Sequence, residues 1–146
     1  MIYGVIYKTT GEIVRSVYCN IAMLTLQAGE SELTLETVVE VADDIHYVSD
    51  GKCILKPTQE TTLDKMSISA NGVDVIVINN APLGKFTVSR VLTPADFIPE
   101  NIGKVIDTET GFIAGSDTFL TTIPGTYKIK IESFPYLDFE ATIEAI

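Results

Sequence analysis

Tryptophan is absent from this sequence of 146 residues, and its single histidine is His46. Basic residues are also few, with ten Lys and Arg against twenty Asp and Glu, which gives a formal net charge of −10. Affinity for nucleic acids and for anionic lipids comes chiefly from Lys and Arg. We therefore exclude nucleic acid and membrane surfaces as principal partners.

Long apolar runs are missing as well, and the first residues lack the basic and apolar regions of a signal peptide. We therefore expect the protein to be made in the cytoplasm and to leave it only as part of a particle. The two cysteines, Cys19 and Cys53, have no metal-binding or redox spacing, and we expect free thiols. A hydrophobic content of 46% is enough for a folded core.

Residues typical of catalytic and metal centres are scarce. His46 has no second histidine and no nearby cysteine with which to hold zinc. Asp43, Asp44 and Asp50 lack the alternating order of an EF-hand loop and are typical of turns. The sequence contains no Gly-x-Ser-x-Gly elbow, phosphate-binding loop or nicotinamide fingerprint. We predict a non-enzymatic protein with no catalytic, cofactor-binding or metal-binding residues.

Segments rich in β-branched and aromatic residues dominate residues 1–64, which we interpret as a small N-terminal β unit for docking. Gly11 lies in a turn between two such segments, and Asp50-Gly51 lies between two others. Both patterns predict β-hairpins, and Asp-Gly is among the strongest hairpin signals.

One short helix is predicted between the two hairpins. Asn20 can cap it, residues 21–27 would form it, and Gly29 would end it in a left-handed conformation. After the second hairpin, the polar residues 58–65 have no apolar period, which is typical of a linker. We therefore place a domain boundary after residue 64.

Residues 65–146 are predicted to form an immunoglobulin-like β-sandwich, so the whole fold is predicted to be all-β. About seven short strands separated by turns over such a length are typical of that sandwich. Two of the turns are predicted at residues 79–82 and at Thr110-Gly111. The predicted strands cover residues 66–69, 74–79, 85–90, 103–107, 116–122, 126–133 and 138–143.

Two features of this second part suggest particular roles. Tyr127 follows Pro124-Gly125 at the start of a strand, a pattern that predicts a tyrosine corner; the alternative is an ordinary half-buried strand tyrosine. Phe134, Tyr136 and Leu137 form a loop of large side chains that could bind a partner, as such anchors do at interfaces. Alternatively, Phe134 and Tyr136 fold back and close the end of the sandwich.

Residues 1–57 contain the short motifs Tyr3-Gly4-Val5-Ile6-Tyr7 with Gly11-Glu12-Ile13, Gln27-Ala28-Gly29-Glu30, and His46-Tyr47-Val48-Ser49-Asp50-Gly51-Lys52 followed by Lys56-Pro57. These motifs resemble those of small virion proteins of tailed bacteriophages that are associated with tails and tail fibres. Residues 65–146 contain Ser69-Ala70-Asn71-Gly72-Val73-Asp74, Pro124-Gly125-Thr126-Tyr127 and Pro135-Tyr136-Leu137-Asp138. This part is similar to the immunoglobulin-like modules of phage virion proteins.

This resemblance implies a structural component of the virion, made in the host cytoplasm, that acts as a tail or tail-fibre adaptor or accessory subunit. Its partners would be other tail, fibre or capsid proteins in a multi-copy assembly, and it would carry no cofactor. Two alternatives stay open. One is a receptor- or glycan-binding module on the virion, and the other is a fibre-assembly chaperone that is not part of the virion.

Overall fold

The computed structural model describes residues 1–91 and 108–146. Its strands form three sheets, and the all-β prediction is confirmed. The chain divides into two compact units, Met1–Pro57 and Thr58–Ile146. Residues 58–64, which the sequence analysis places in the N-terminal part, contribute to the second unit.

The first unit contains β1 (Ile2–Lys8), β2 (Ile13–Cys19), β3 (Glu32–Thr37), β4 (His46–Ser49) and β5 (Lys52–Leu55). β1 is central in a three-stranded antiparallel sheet of order β2-β1-β3, and β4 pairs with β5. Both predicted hairpins are therefore present. Asp50 and Gly51 have φ angles of 50° and 71°, as a two-residue type I′ turn requires.

The three-stranded sheet is covered on both faces. On one face, Val5 packs in a small core with Ile13, Val41 and Val48. On the other face, Leu24 is buried so close to β1 that a Cβ at Gly4 would lie 2.6 Å from its Cδ1. Glycine at position 4 therefore leaves room for the leucine that covers this face.

The predicted short helix is present as two consecutive 3₁₀ turns, Ile21–Met23 and Thr25–Gln27. Asn20 caps the first turn as predicted, because its side chain accepts a hydrogen bond from the backbone N–H of Ala22 at 3.1 Å. Ala28 already has extended backbone angles, so the second turn ends before Gly29. The prediction that Gly29 ends the helix is therefore wrong. Seven residues are too few for a stable α-helix without extensive packing.

The second unit contains β6 (Thr62–Leu63), β7 (Ser67–Ile68), β8 (Ile76–Arg90), β9 (Thr108–Phe119), β10 (Gly125–Glu132) and β11 (Phe139–Ala145). They form one hydrogen-bonded network of order β6-β8-β10-β11-β7, with β9 beside β8. The strand predicted at residues 103–107 lies outside the described residues.

β8 is one long strand where the sequence predicts two, so the predicted turn at residues 79–82 is wrong. The register of β8 with β9 shifts twice between Ile78 and Gly84. The other edge of β8 pairs first with β6 and then with β10. Strands that switch sheets at bulges make the corners of β-sandwiches. Thr110-Gly111 lies inside β9, so that predicted turn is also wrong.

Several strand neighbours on the two sides of this corner match those of an immunoglobulin-like sandwich, and β9 in addition continues beside residues 84–89. Residues 78–79 pair with β6 and residues 76–78 with the end of β9, as strand B pairs with A and E. Residues 85–90 pair with β10, which pairs with β11, as C pairs with F and F with G. Residues from both groups share one core: Ile76, Ile78, Phe119, Val88, Ile129, Ile131 and Ile143.

The tyrosine corner is confirmed. The buried Tyr127 donates its hydroxyl to the carbonyl of Ile123 at 2.8 Å, and the same oxygen lies 3.0 Å from the hydroxyl of Thr121. Its ring packs against Phe119 with centroids 5.2 Å apart. The corner therefore fixes the connection into β10.

Tyr127→Phe is expected to lower the free energy of unfolding by about 0.5–1.5 kcal/mol, because it removes the hydroxyl and keeps the packed ring. Urea denaturation of the whole chain measures the change. Tyr18→Phe is the control, since Tyr18 is 58% exposed. Equal unfolding midpoints for the two variants would show that the corner adds no stability.

Candidate functional site

The loop that contains Phe134, Tyr136 and Leu137, which is predicted to bind a partner, is held by hydrogen bonds at two points. The backbone N–H of Tyr136 donates to Ser133 at 2.7 Å, closing the turn that contains the cis peptide bond before Pro135. Gln59 donates to the carbonyl of Leu137 at 2.9 Å. Phe134 is 40% exposed, and Tyr136 and Leu137 are half-buried. The loop therefore presents Phe134 more than its two neighbours.

The other residues considered for chemistry do not converge. His46 Nδ1 lies 2.9 Å from the carbonyl of Ala42, which holds the ring locally. Cys19 and Cys53 are free, and burial raises the pKa of the Cys53 thiol. Within residues 1–91 and 108–146, no group of three or more His, Cys, Asp or Glu side chains is placed to hold a metal ion.

A polar surface forms on the solvent side of the second unit, and we call it the outer face. In β10, Tyr127, Ile129 and Ile131 are buried, so the intervening Lys128 and Lys130 point to the opposite side. The strand registers place residues of three neighbouring strands on that same side: Thr87 and Ser89 of β8, Thr110 and Phe112 of β9, and Glu140 and Thr142 of β11.

Two rows of side chains cross this face. In the first row, Lys128 lies between Ser89 and Thr142. In the second, the order across the strands is Thr110, Thr87, Lys130 and Glu140. All of these residues except Thr110 line a depression of about 510 Å³, which is in the range of small-molecule sites, about 300–1,000 Å³.

The two lysines of the depression differ in their charge environment. Lys130 Nζ lies 3.1 Å from Glu132 and 3.5 Å from Asp138, and the hydrogen bond to Glu132 raises the pKa of the lysine. Lys128 is exposed and makes no ion pair with any residue in the described parts of the chain. Lys128 is therefore the lysine with its ammonium group available to a ligand.

One end of the outer face is apolar. Phe112 is 81% exposed and lies opposite Lys85, whose ammonium group is 4.0 Å from Glu132. Leu83 is 73% exposed and precedes Lys85 by two residues. The face thus joins a polar depression to an exposed aromatic ring.

Sequence reasoning missed this face. The alternation of Lys128 and Lys130 with buried isoleucines was visible, but it indicated a strand and not a site. Assigning a turn at Thr110-Gly111 removed Thr110 and Phe112 from the strand that carries them. The polar residues meet only through the register of four strands, which no local pattern specifies.

Comparison of the chain with protein-family models, with curated proteins and with solved structures gives no match. The resemblance to phage virion proteins therefore depends on the short motifs alone. No helix in the described part of the chain combines the length and the apolar character needed to cross a membrane.

Proposed function

We propose that the protein is a non-enzymatic structural subunit that docks into a larger assembly through its first unit. The observation that supports this proposal is the apolar surface of that unit. The first unit has six buried hydrophobic residues and twelve exposed large hydrophobic residues. The described part of the second unit has twelve buried hydrophobic residues and nine exposed large ones. The first unit therefore leaves far more apolar surface uncovered relative to its core.

Three strongly exposed side chains lie on three different segments of the first unit. Val38 is 96% exposed after β3, Leu26 is 71% exposed in the second 3₁₀ turn, and Leu55 is 65% exposed at the end of β5. Single exposed apolar residues are ordinary, but a small unit with a small core gains most from covering them. Contact with a partner would bury this surface.

The sheet of the first unit also offers backbone groups to a partner. β2 and β3 are its edge strands, and no strand in the described part of the chain pairs with the outer side of either. Edge strands expose unpaired N–H and C=O groups, which a partner's strand can satisfy. Strand addition would fix the register of docking, and the apolar contacts would supply most of the affinity.

We propose further that the assembly is the virion of a tailed phage, in which the chain is a tail or tail-fibre adaptor or accessory subunit. The motif resemblance supports the class of assembly, and the exposed apolar surface supports docking. The partners would be other virion proteins, and synthesis would take place in the host cytoplasm. A fibre-assembly chaperone would use the same surface but would be absent from finished particles.

The proposal can be tested with purified particles that are assembled in a host carrying a single copy of the gene, which encodes the variant under study. The double variant Leu26→Ser with Val38→Ser is expected to lower the number of copies of the protein per particle by roughly thirtyfold, because two interface anchors that each contribute about 1 kcal/mol are removed. Quantitative mass spectrometry of the particles measures the loss. The thermal midpoint of the isolated variant should not change, since both side chains are exposed.

Val73→Ser with Leu120→Ser is the matched control, because these residues are 79% and 48% exposed on the second unit. If the control and test variants were incorporated into particles equally, docking would have to occur outside the first unit. Absence of the unmodified protein from particles would favour the chaperone.

A further inference from the structure

We propose that the outer face of the second unit binds an oligosaccharide, with one sugar in the depression around Lys128 and another sugar, farther along the same chain, on the ring of Phe112. This inference goes beyond the structural role proposed above and does not depend on it. A docked subunit and an isolated one would present the same face.

The depression offers hydrogen-bonding groups that no described residue uses. The side chains of Thr87, Ser89, Lys128 and Thr142 make no hydrogen bond with any residue in the ranges 1–91 and 108–146. Hydroxyl groups donate and accept, whereas an ammonium group only donates. Glu140 adds a carboxylate that accepts. Sugar hydroxyls also donate and accept, so this mixture matches a sugar.

The spacing on the sheet fits a chain of sugars. Neighbouring strands lie about 4.8 Å apart, so Ser89, Lys128 and Thr142 span roughly 10 Å across the depression. Phe112 follows Thr110 by two residues along β9, a step of about 7 Å on the same face. Phe112 lies two strands across and two rows along from Lys128, roughly 17 Å away, so a sugar in the depression and a sugar on the aromatic ring would be separated by other sugars of the same chain.

The exposure of Phe112 agrees with a stacking role. A phenylalanine that is 81% exposed in the middle of a strand contributes little to the core. The C–H groups on one side of a sugar ring can pack against such an aromatic face, while the hydroxyls on its edge reach polar side chains. Phe112 would thus supply apolar contact, and the depression would supply orientation.

Charge argues against other occupants. The outer face carries three lysines and at least as many carboxylates: Lys85, Lys128 and Lys130 lie with Glu132, Glu140 and Glu144, and Asp138 pairs with Lys130. This balance does not favour a polyanion such as nucleic acid. A protein interface needs an apolar centre, yet the centre of this face is polar and its apolar side chains lie at one end.

The test is an array of neutral, amino-sugar and uronate-containing di- to hexasaccharides, followed by titration calorimetry with the full chain. A subset of the saccharides is expected to bind, and Phe112→Ala and Lys128→Ala are each expected to weaken binding roughly tenfold. Tyr18→Ala and Lys52→Ala are the controls, because both residues are exposed on the first unit. Thermal midpoints of all four variants confirm folding.

Two results would overturn the proposal. One is the absence of saccharide binding at millimolar concentration. The other is binding that requires a carboxylate, disappears with added salt and is unaffected by Phe112→Ala, which would indicate a general anion site. Because particle incorporation is measured separately, failure here would leave the docking proposal untouched.

Discussion

Gly11→Ala is expected to destabilise the first unit by about 3–5 kcal/mol, which is enough to unfold a domain of this size. A Cβ at position 11 would lie 2.2 Å from the carbonyl oxygen of Val48 and 3.3 Å from its carbonyl carbon. Both are backbone atoms, so no side-chain rotation can relieve the clash. The φ angle of 97° adds a further cost for any residue other than glycine.

The effect should be large because this contact joins the two hairpins. The backbone N–H of Val48 donates to the carbonyl of Gly11 at 2.8 Å, and the side chain of Val48 is buried in the small core. Moving the β1–β2 turn away from β4 would break that hydrogen bond and open the core. Circular dichroism during urea unfolding gives the energy, and hydrogen exchange shows which unit is lost.

Gly51→Ala is the matched control. Gly51 also has a positive φ, 71°, but nothing lies within 4 Å of its ideal Cβ position. This variant should therefore show only the conformational cost, about 1 kcal/mol. If the two variants lost equal stability, the approach of Val48 to Gly11 would have no energetic role.

These two glycines show what the sequence of the first unit can and cannot predict. Asp50-Gly51 specifies a hairpin through its own φ angles, so the turn was predictable from two residues. The contact of Gly11 with Val48 joins residues far apart in the chain and has no local signal. The packing of Leu24 against Gly4 also has no local signal in the sequence. Turn chemistry is local, whereas the covering of a sheet face is not.

In the second unit, a tight Pro-Gly turn followed by Tyr127 made the tyrosine corner predictable. The predicted turn at residues 79–82 failed because Asn-Asn-Ala-Pro suits a bulged corner in a continuous strand as well as a reverse turn. The outer face could not be predicted from the sequence for a related reason. Without the register of β8, β9, β10 and β11, nothing shows that Thr110 and Lys130 belong to one row.

Residues 58–63 are expected to contribute about 3–5 kcal/mol to the second unit, although their sequence has the polar character of a linker. Gln59 is buried, and its Nε2 donates to the carbonyls of Ile131 and Leu137, each at 2.9 Å. Its Oε1 accepts from the hydroxyl of the buried Thr61 at 2.8 Å. Leu63 then pairs with Ile78 and packs against the core.

A fragment of residues 58–146 should therefore unfold cooperatively in urea, and one of residues 64–146 should unfold at a much lower midpoint or show no transition. In the full chain, Gln59→Ala isolates the buried amide and should cost about 1–3 kcal/mol, because it leaves two carbonyl groups without their donor. Glu60→Ala is the control, since Glu60 is the exposed neighbour. Equal midpoints for the two fragments would mean that residues 58–63 are a linker after all.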